Sequence, residues 1–574
     1  MKRTMRLLLS TSVVLVCTVT VGVVCAGEQP ASPLVVMNAQ TTVKGGFGGS
    51  VAFLAPDTYE TLGSVDVGLS PAGWILSPDE RTLYVVDDAG AAGQLAIVDV
   101  QARRLLATVE IGPGHPWLLI PETDAAQLYA FSGGDGSRKA RITLIDRATH
   151  RVLDVIETAP LGRQLLLSPD ARRAYVLHGD ADGDRRRGEP LLVVVDLSER
   201  TVVAAHKLPH APQGMLLSPD RRWIWVIDRG TPAEDAARHA GGALLVFDAL
   251  TGSPSATLPL GRDPGPVALD RERGRLYVAS RAPGKPHRGS IHGIAGREGF
   301  GKVDLDHRPE RIFLAPGGAR VLVLGEKSAS VAEAGLGAPV RHFPLKLSPF
   351  DAILSHDGRR AYVNDFGGWK LVALDLLGQE APREMPVGSG GLRLRVAEKN
   401  MLVGLDLLAL RHDDRFLYAA STRSNQVSVY DTASLERVAE IRAGNGLYAL
   451  AQSPNRQHIF ALAVSQLSVI DTSANERVRE HEVGAAKQGG FIFAKYLEKR
   501  PVFSRARGLA FLADGVALHV FELRTGDVLR SINGLPSPQA ILIPPSFNAP
   551  GDRREGARGA DIDDEPIEVA HSSF

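Results

Sequence analysis

The residues of this chain best suited to chemistry fall into three groups. In HGDADGDRRRGEP, Asp180, Asp182 and Asp184 are alternate carboxylates in glycine-rich surroundings, with Glu189 beyond. Hard cations want several oxygens at such spacing, and calcium is the ion these ligands suit. Arg185 stands where an EF-hand loop carries its turn glycine, and Arg185 to Arg187 oppose a cation, so the same segment also reads as a solvated loop of mixed charge. His287 and His292, near Arg288, Arg297 and Glu298, are candidate acid/base groups or metal ligands. Two histidines without a carboxylate at defined spacing make a thin metal set. The third group, His115, Arg163, His210 and Arg262, lies at the junctions between successive repeats of the chain. Arginine could grip an anionic ligand with its planar fork and histidine through a tunable proton, while the plain structural role of such residues is in turns or solvent. Nowhere does the chain spell out a nucleophile, a base and an orienting group together.

The elements that must position these residues are announced by a repeated phrase. An apolar strand meets a Ser-Pro-Asp-like turn, a Tyr-Val strand, a connection, a third strand ending in Asp and a last strand closing on Gly. LSPDERTLYVVDDAG with QLAIVDVQARRLLATVEIG is one copy, and LLLSPDARRAYVLHGD with LLVVVDLSERTVV another. A period of roughly 40 to 50 residues with four short strands per unit marks a β-propeller. Apolar residues run consecutively in LYVV (83–86), LLVVVD (191–196) and WIWVI (223–227), so both faces of each strand need cover, as in a blade stacked between two others. Clear units run over 71–112, 113–159, 160–209 and 210–261; degenerate openings follow near 267 and 312, then three more clear phrases and a weak copy over 489–534. That makes about ten, and the leftover ends are complementary: ILIPP at 541 suits an innermost strand and residues 50–68 suit outer ones. One blade shared by the chain ends would remove exposed sheet edges. Because propellers usually have four to eight blades, the count of about eleven favours two propellers, over 50–300 and 301–545, with one large ring as the alternative.

Within this frame Asp99, Asp146, Asp196, Asp248, Asp375, Asp431 and Asp471 read as turn caps rather than as a ring of catalytic carboxylates. The insertions fall mostly after second strands, at 132–141, 178–190, 228–242 and 280–301, which crowds them onto one face. Loops held by a rigid scaffold are the usual place for recognition.

At the N-terminus, Lys2, Arg3 and Arg6 precede an apolar run from Leu7 to Val24, and Val24 and Ala26 suit cleavage before Gly27. Residues 1–26 are therefore expected to be a signal peptide, with an uncleaved anchor as the alternative, the protein extracytoplasmic, and the cleaved chain without a stable membrane span. Cleavage would remove Cys17 and Cys25, the chain's 2 cysteines, which excludes disulfides, thiolate chemistry and covalent Cys-x-x-Cys-His haem. A formal net charge of zero argues against nucleic acid as the partner. Residues 27–49 form a lead-in, and 546–574 a polar, disordered tail.

The phrases LSPDERTLYVVDDAG, LDRERGRLYVASRA, SHDGRRAYVNDFGG and RFLYAASTRSNQVSVYDTASLERVAEI resemble the YVTN-type β-propeller repeats of bacterial surface-layer and periplasmic proteins, which look related to lactonase-like and cytochrome d1-like propellers. The resemblance covers most of residues 50–545. It departs from the WD40 type in lacking Trp-Asp after the third strands, and it lacks the boxes of sialidase-like and quinone-dependent propellers. It is specific for fold and says little of function, because that fold carries binders, lactonases, redox subunits and adhesins alike. With no nucleophile, base and orienting group spelled out, the chain is expected to be an exported, noncatalytic scaffold without a resident cofactor, binding a protein, glycan or cell-envelope component on its long-loop face. The alternatives it leaves open are a lactonase-like hydrolase at the channel mouth and a haem-binding or redox-partner propeller.

Overall fold

The computed structural model describes residues 32–39, 48–87, 93–114, 117–119, 126–135, 137–179, 188–230, 241–282, 285–365, 370–387, 407–421, 424–484 and 501–548. They form eleven four-stranded antiparallel sheets, each a meander from an inner to an outer strand. Blades 1 to 10 occupy 71–110, 117–160, 162–207, 212–259, 267–305, 309–344, 349–386, 408–442, 449–482 and 502–532. Blade 11 takes its innermost strand, Pro538–Leu542, from the C-terminal end and its other three, Leu34–Ala39, Gly49–Leu54 and Thr61–Gly68, from the N-terminal end. The shared blade is thus present, and it recruits one more strand than residues 50–68 alone suggest, because Leu34–Ala39 pairs with both Gly49–Leu54 and Pro538–Leu542.

The blades close as one ring, the alternative to two propellers. Every blade packs on the next in sequence: Tyr84 and Ile97 of blade 1 meet Leu128 and Ile145 of blade 2, Tyr277 and Ile291 of blade 5 meet Ile312 and Val323 of blade 6, and Phe511 and Val520 of blade 10 meet Leu34 and Ile541 of blade 11. Val35 and Phe53 of blade 11 then pack on Leu83 and Val98 of blade 1. The degenerate middle of the chain makes ordinary blade-to-blade interfaces, so nothing splits the ring there. Along a second strand such as Thr82–Asp87, side chains alternate between the preceding and following blades, which is why apolar residues run consecutively.

The conserved look of the Tyr-Val phrase has a mechanical cause. In blades 3, 4, 5 and 8 the buried aromatic of the second strand reaches the turn before the fourth strand of the next blade. Tyr175 Oη donates to Ala249 O (2.9 Å), Trp225 Nε1 to Gly296 O (2.7 Å), Tyr277 Oη to Ala334 O (2.9 Å) and Tyr418 Oη to Asn475 Oδ1 (2.5 Å). Each bond satisfies a buried hydroxyl or indole and locks one blade to its neighbour.

The two faces of the ring differ. On one face the turns from first to second strand are copies of each other: Ser77, Ser168, Ser218 and Ser355 donate to Asp79, Asp170, Asp220 and Asp357 at 2.5–2.6 Å and accept the amide five residues on. The third-to-fourth turns on the same face are capped by the strand-ending carboxylates, as with Asp146 accepting from Thr149 N and Asp471 from Ser473 N, both at 2.7 Å. These caps hold Asp146 and Asp471 below the usual carboxylate range. The opposite face carries the second-to-third connections and the linkers between blades, and there the lengths vary, from Ala463–Ser465 to 229–242.

One expectation is corrected. The described residues of 280–301 are not a loop: Arg275–Ala282, Lys285–Ala295 and Glu298–Leu305 are long paired strands of blade 5, because their alternation of small and apolar residues fits the ladder. At the C-terminal end of the described residues, Pro545–Asn548 form a helical turn whose Phe547 is buried against Phe511, and the expected tail from 549 on lies outside the described residues. Among the described residues no helix is long and apolar enough to cross a membrane.

Candidate functional site

The variable face is built from a repeated clamp. In blades 1, 4, 5 and 10 a polar side chain at the end of the second strand reaches the linker that enters the same blade. In blade 1, Asp87 accepts from Leu69 N and Ser70 N, both at 2.7 Å. A Cβ on Gly68, whose φ is +123°, would lie 2.1 Å from that carboxylate, so the approach requires glycine. In blade 4, fully buried Asp228 accepts from His210 N (2.9 Å) and Gly230 N (2.8 Å) and pairs with His210 Nδ1 (3.2 Å). In blade 5, Ser280 Oγ accepts from Gly261 N at 3.1 Å. In blade 10, Asp514 accepts from Gly484 N, Val516 N (2.7 Å) and Ala517 N (2.8 Å), and pairs with His519 Nε2 (2.9 Å). Burial pushes the Asp514 carboxyl up, but these donors outweigh it and bring the pKa down to about 2.

Two variants of the clamp use histidine. In blade 3 the position is held by His178, fully buried, with Nδ1 3.1 Å from Pro160 O. Burial brings its pKa down to about 4, so the ring is neutral at neutral pH. In blade 6 the position is Gly325, and the linker's own His307 fills the space, its Nε2 2.7 Å from Ser330 Oγ.

Against this geometry the residues named from sequence take distinct places. His210 is a partner in the blade 4 clamp. Arg163, on the innermost strand Gly162–Leu167, donates through Nη1 to Pro212 O (2.6 Å), and beside it Gln164 pairs with the backbone of Met215 at 2.7 and 2.8 Å, so both stitch adjacent inner strands together. Arg262 forms a two-way backbone bridge with Arg281, at 2.7 Å in each direction. His287 is exposed on strand Lys285–Ala295, where the pairing register jumps, while His292 lies in the regular ladder opposite Val278 and Lys302. Its Nε2 is 3.0 Å from Ser290 Oγ, and burial, with Lys302 nearby, brings its pKa down to about 4. His115 and the carboxylates Asp180, Asp182 and Asp184 lie outside the described residues. Among the described residues no three His, Cys, Asp or Glu side chains stand together as a metal set.

Three clusters were not picked out from the sequence. Asp306, His342, Ser330 and His307 are linked in a chain, but Asp306 and Ser330 both meet the same nitrogen, His342 Nδ1 (2.9 and 2.8 Å), and Ser330 is fully buried. No substrate could reach that hydroxyl. In blade 10, His519 bridges Asp514 and Ser531 (Nδ1 to Oγ, 2.9 Å), with Ser531 on the outermost strand Val528–Ile532. The backbone amides there converge on the carboxylate, which makes the group a clamp. In the third, Asp263 pairs with both Arg229 and Arg281 (3.0 Å to Arg281 Nη2), and Arg281 also feels the charges of Arg308 and Arg262. The textual signals for these were the recurrence of a polar residue at the end of the second strand and, for the third, Arg262 at a repeat junction.

No family model matches the chain, and no curated protein matches it. Among solved structures it is similar to the dihydro-haem d1 dehydrogenase NirN in complex with DHE, at 14% identity and a TM-score of 0.34, over 74% of this chain and 76% of that one. It is similar to apo AztD from Citrobacter koseri at 12% identity and a TM-score of 0.31, over 73% and 97%. A eukaryotic initiation factor aligns at 12% identity and a TM-score of 0.39, over 72% and 97%. With TM-scores below 0.5, none of them informs the site.

Proposed function

We propose that this chain is an exported β-propeller of the YVTN-type repeat kind and a noncatalytic binding scaffold. Its variable face would hold a protein, glycan or cell-envelope component, outside the cytoplasm and without a resident cofactor. The observation that carries the reading is the contrast between the two faces. One is a set of near-identical turns; the other clamps the linker at several seams, with carboxylates in blades 1, 4 and 10, and varies the connection that leaves it. The carboxylates Asp87, Asp228 and Asp514 of that face are occupied by linker amides, which supports recognition rather than turnover as the work of its surface.

The test replaces the connection 231–240, between the second and third strands of blade 4, by a short Gly-Ser segment in the mature chain, and measures binding to isolated envelope fractions. A matched variant replaces the exposed Asp413–Asp414 turn on the opposite face. The reading expects the first change to lower binding and the second to leave it intact. Equal binding by both variants, or release of product from lactone or ester substrates by the wild type, would contradict it.

A further inference from the structure

We infer that the outer rim of blades 10, 11, 1, 2 and 3, along the edge nearest the uniform turns, docks on the surface of a lipid bilayer. The inference goes beyond the binding-face reading and does not rest on it, because it concerns the other edge of the ring.

The fourth strand of every blade is the free edge of its sheet, with one side of its backbone unpaired. Native edges of this kind are usually blunted by charged side chains. The second residue of each fourth strand divides the ring into two sectors. In five consecutive blades it is apolar: Leu529 of blade 10, Leu62 of blade 11, Leu105 of blade 1, Leu153 of blade 2 and Val202 of blade 3. These residues are 37% to 53% exposed. In blades 4 to 9 the position holds Ser255, Gly299, His342, Glu384, Val438 and Arg477, of which only Val438 is apolar and large. Exposed Val152, Val155 and Val203 widen the apolar sector on blades 2 and 3.

Three of the four seams within the sector are closed at the same level, which joins the positions into a stripe. Arg530, next to Leu529, donates to Thr58 O of blade 11; a Cβ on Gly63, next to Leu62, would lie 3.5 Å from Arg103 Cδ of blade 1; and Arg200 of blade 3 donates to Leu153 O of blade 2 at 3.4 Å. Single apolar residues scattered on a surface need no partner, but a stripe that follows nearly half of a ring marks an interaction site.

Two observations identify the occupant. The first is shape. The stripe runs along the convex outside of the ring, so a second ring meeting it rim to rim would cover only the blades at the point of contact. A flat, deformable surface reaches the whole sector when the ring tilts toward it. Each position is the second of its strand, within about 7 Å of the turn, and apolar side chains enter a lipid headgroup boundary to a depth of about 5–10 Å. Exposed Arg104, Arg151 and Arg530 stand beside Leu105, Val152 and Leu529, where a long stem can lie along apolar surface while its head reaches a phosphate.

The second observation is where the chain leaves the ring. Ser32 N donates to Ser546 Oγ (3.1 Å), and Ser546 N donates to Glu80 Oε1 (2.6 Å) in the first turn of blade 1, so Ser32 lies on the turn face within the apolar sector. Ahead of it the sequence carries the apolar run from Leu7 to Val24, of bilayer-crossing length, and Ser32 is only eight residues beyond Val24. While that run is attached, during export or as a retained anchor, the bilayer that holds it is no more than about 30 Å from Ser32. A ring tilted onto this sector keeps the Ser77, Ser168 and Ser218 turns, which connect the innermost strands, and the variable face in water.

The experiment sediments the mature chain with protein-free vesicles of phosphatidylethanolamine and phosphatidylglycerol. The paired change Leu153→Ser and Val202→Ser is expected to lower the partition coefficient about tenfold, through the loss of two half-exposed apolar side chains. Val438→Ser, at the same strand position outside the sector, should leave it unchanged, and melting curves check that each variant folds. That difference supports the site. No sedimentation of the wild type with vesicles, or an equal loss in Val438→Ser, would overturn it. A wild type that is dimeric without vesicles and becomes monomeric with the paired change would also overturn it, because the stripe would then join two copies of the chain. The vesicles carry no protein or glycan, so failure here leaves the binding-face reading standing, and replacement of 231–240 should not alter vesicle binding.

Discussion

Replacing His178 by Phe should flatten the acid limb of the protein's stability profile. His178 is fully buried at the seam of blade 3, with Nδ1 3.1 Å from Pro160 O and no protein partner at Nε2. Burial brings its pKa to about 4 in the folded chain, against about 6.5 in an unfolded one. The folded value is the lower, so the unfolded state binds the proton first as the pH falls. The stability tied to the neutral ring is complete above about pH 6.5 and is lost on the way down to about pH 4. A difference of that size corresponds to about 3 kcal/mol over the interval. Phenylalanine keeps a ring of similar bulk and cannot titrate, but it gives up the bond to Pro160, at a cost of about 1 kcal/mol at neutral pH. Thermal melts of both proteins at pH 7, 5.5 and 4 should show the variant less stable at pH 7 and as stable or more so at pH 4. His292, shifted the same way, keeps some acid sensitivity in both proteins. Parallel profiles from pH 7 to 4 would refute the reasoning, because they would mean that His178 takes up its proton without leaving the fold.

The remaining predictions concern the clamp, the latch and the closure. Asp228→Ala leaves His210 N, Gly230 N and the His210 ring without their acceptor and should cost roughly 3 kcal/mol, read as a lower melting temperature; an unchanged melt would remove the clamp from the account. Tyr175→Phe leaves the Ala249 carbonyl unpaired between blades 3 and 4 and should cost about 1–2 kcal/mol, again by melting. Phe547→Ala removes the buried plug of the closing helical turn, a loss of about 3–5 kcal/mol, and should raise hydrogen exchange first in strands Leu34–Ala39 and Pro538–Leu542. Uniform exchange across all blades would show that the ring does not open at the shared blade.

Much of the architecture was legible because each repeat states its own four strands: consecutive apolar residues demand cover on both faces, Ser-Pro-Asp spells the first turn, and Asp spells the third. The complementary chain ends revealed the shared blade. Blade number per ring was not legible, since it depends on the small angle between neighbours, which is set by interface packing and by no single motif. Residues 280–301 misled because glycine and charge density suggested a loop, whereas Gly289 and Gly293 are there to admit Pro309 and Phe300 between long strands. The Arg229, Asp263 and Arg281 cluster was only partly visible, through Arg262, because its members are distant in sequence and meet only when the linkers fold over the ends of the second strands.

The most direct test of the central claim, that the variable face is the binding face, is hydrogen exchange on the mature protein alone and saturated with isolated envelope fragments. Protection of the linkers 208–211, 260–266 and 306–308 and of the ends of the second strands, with the Ser77, Ser168 and Ser218 turns unchanged, is the result the account predicts. Protection confined to those serine turns, or none on either face, would contradict it.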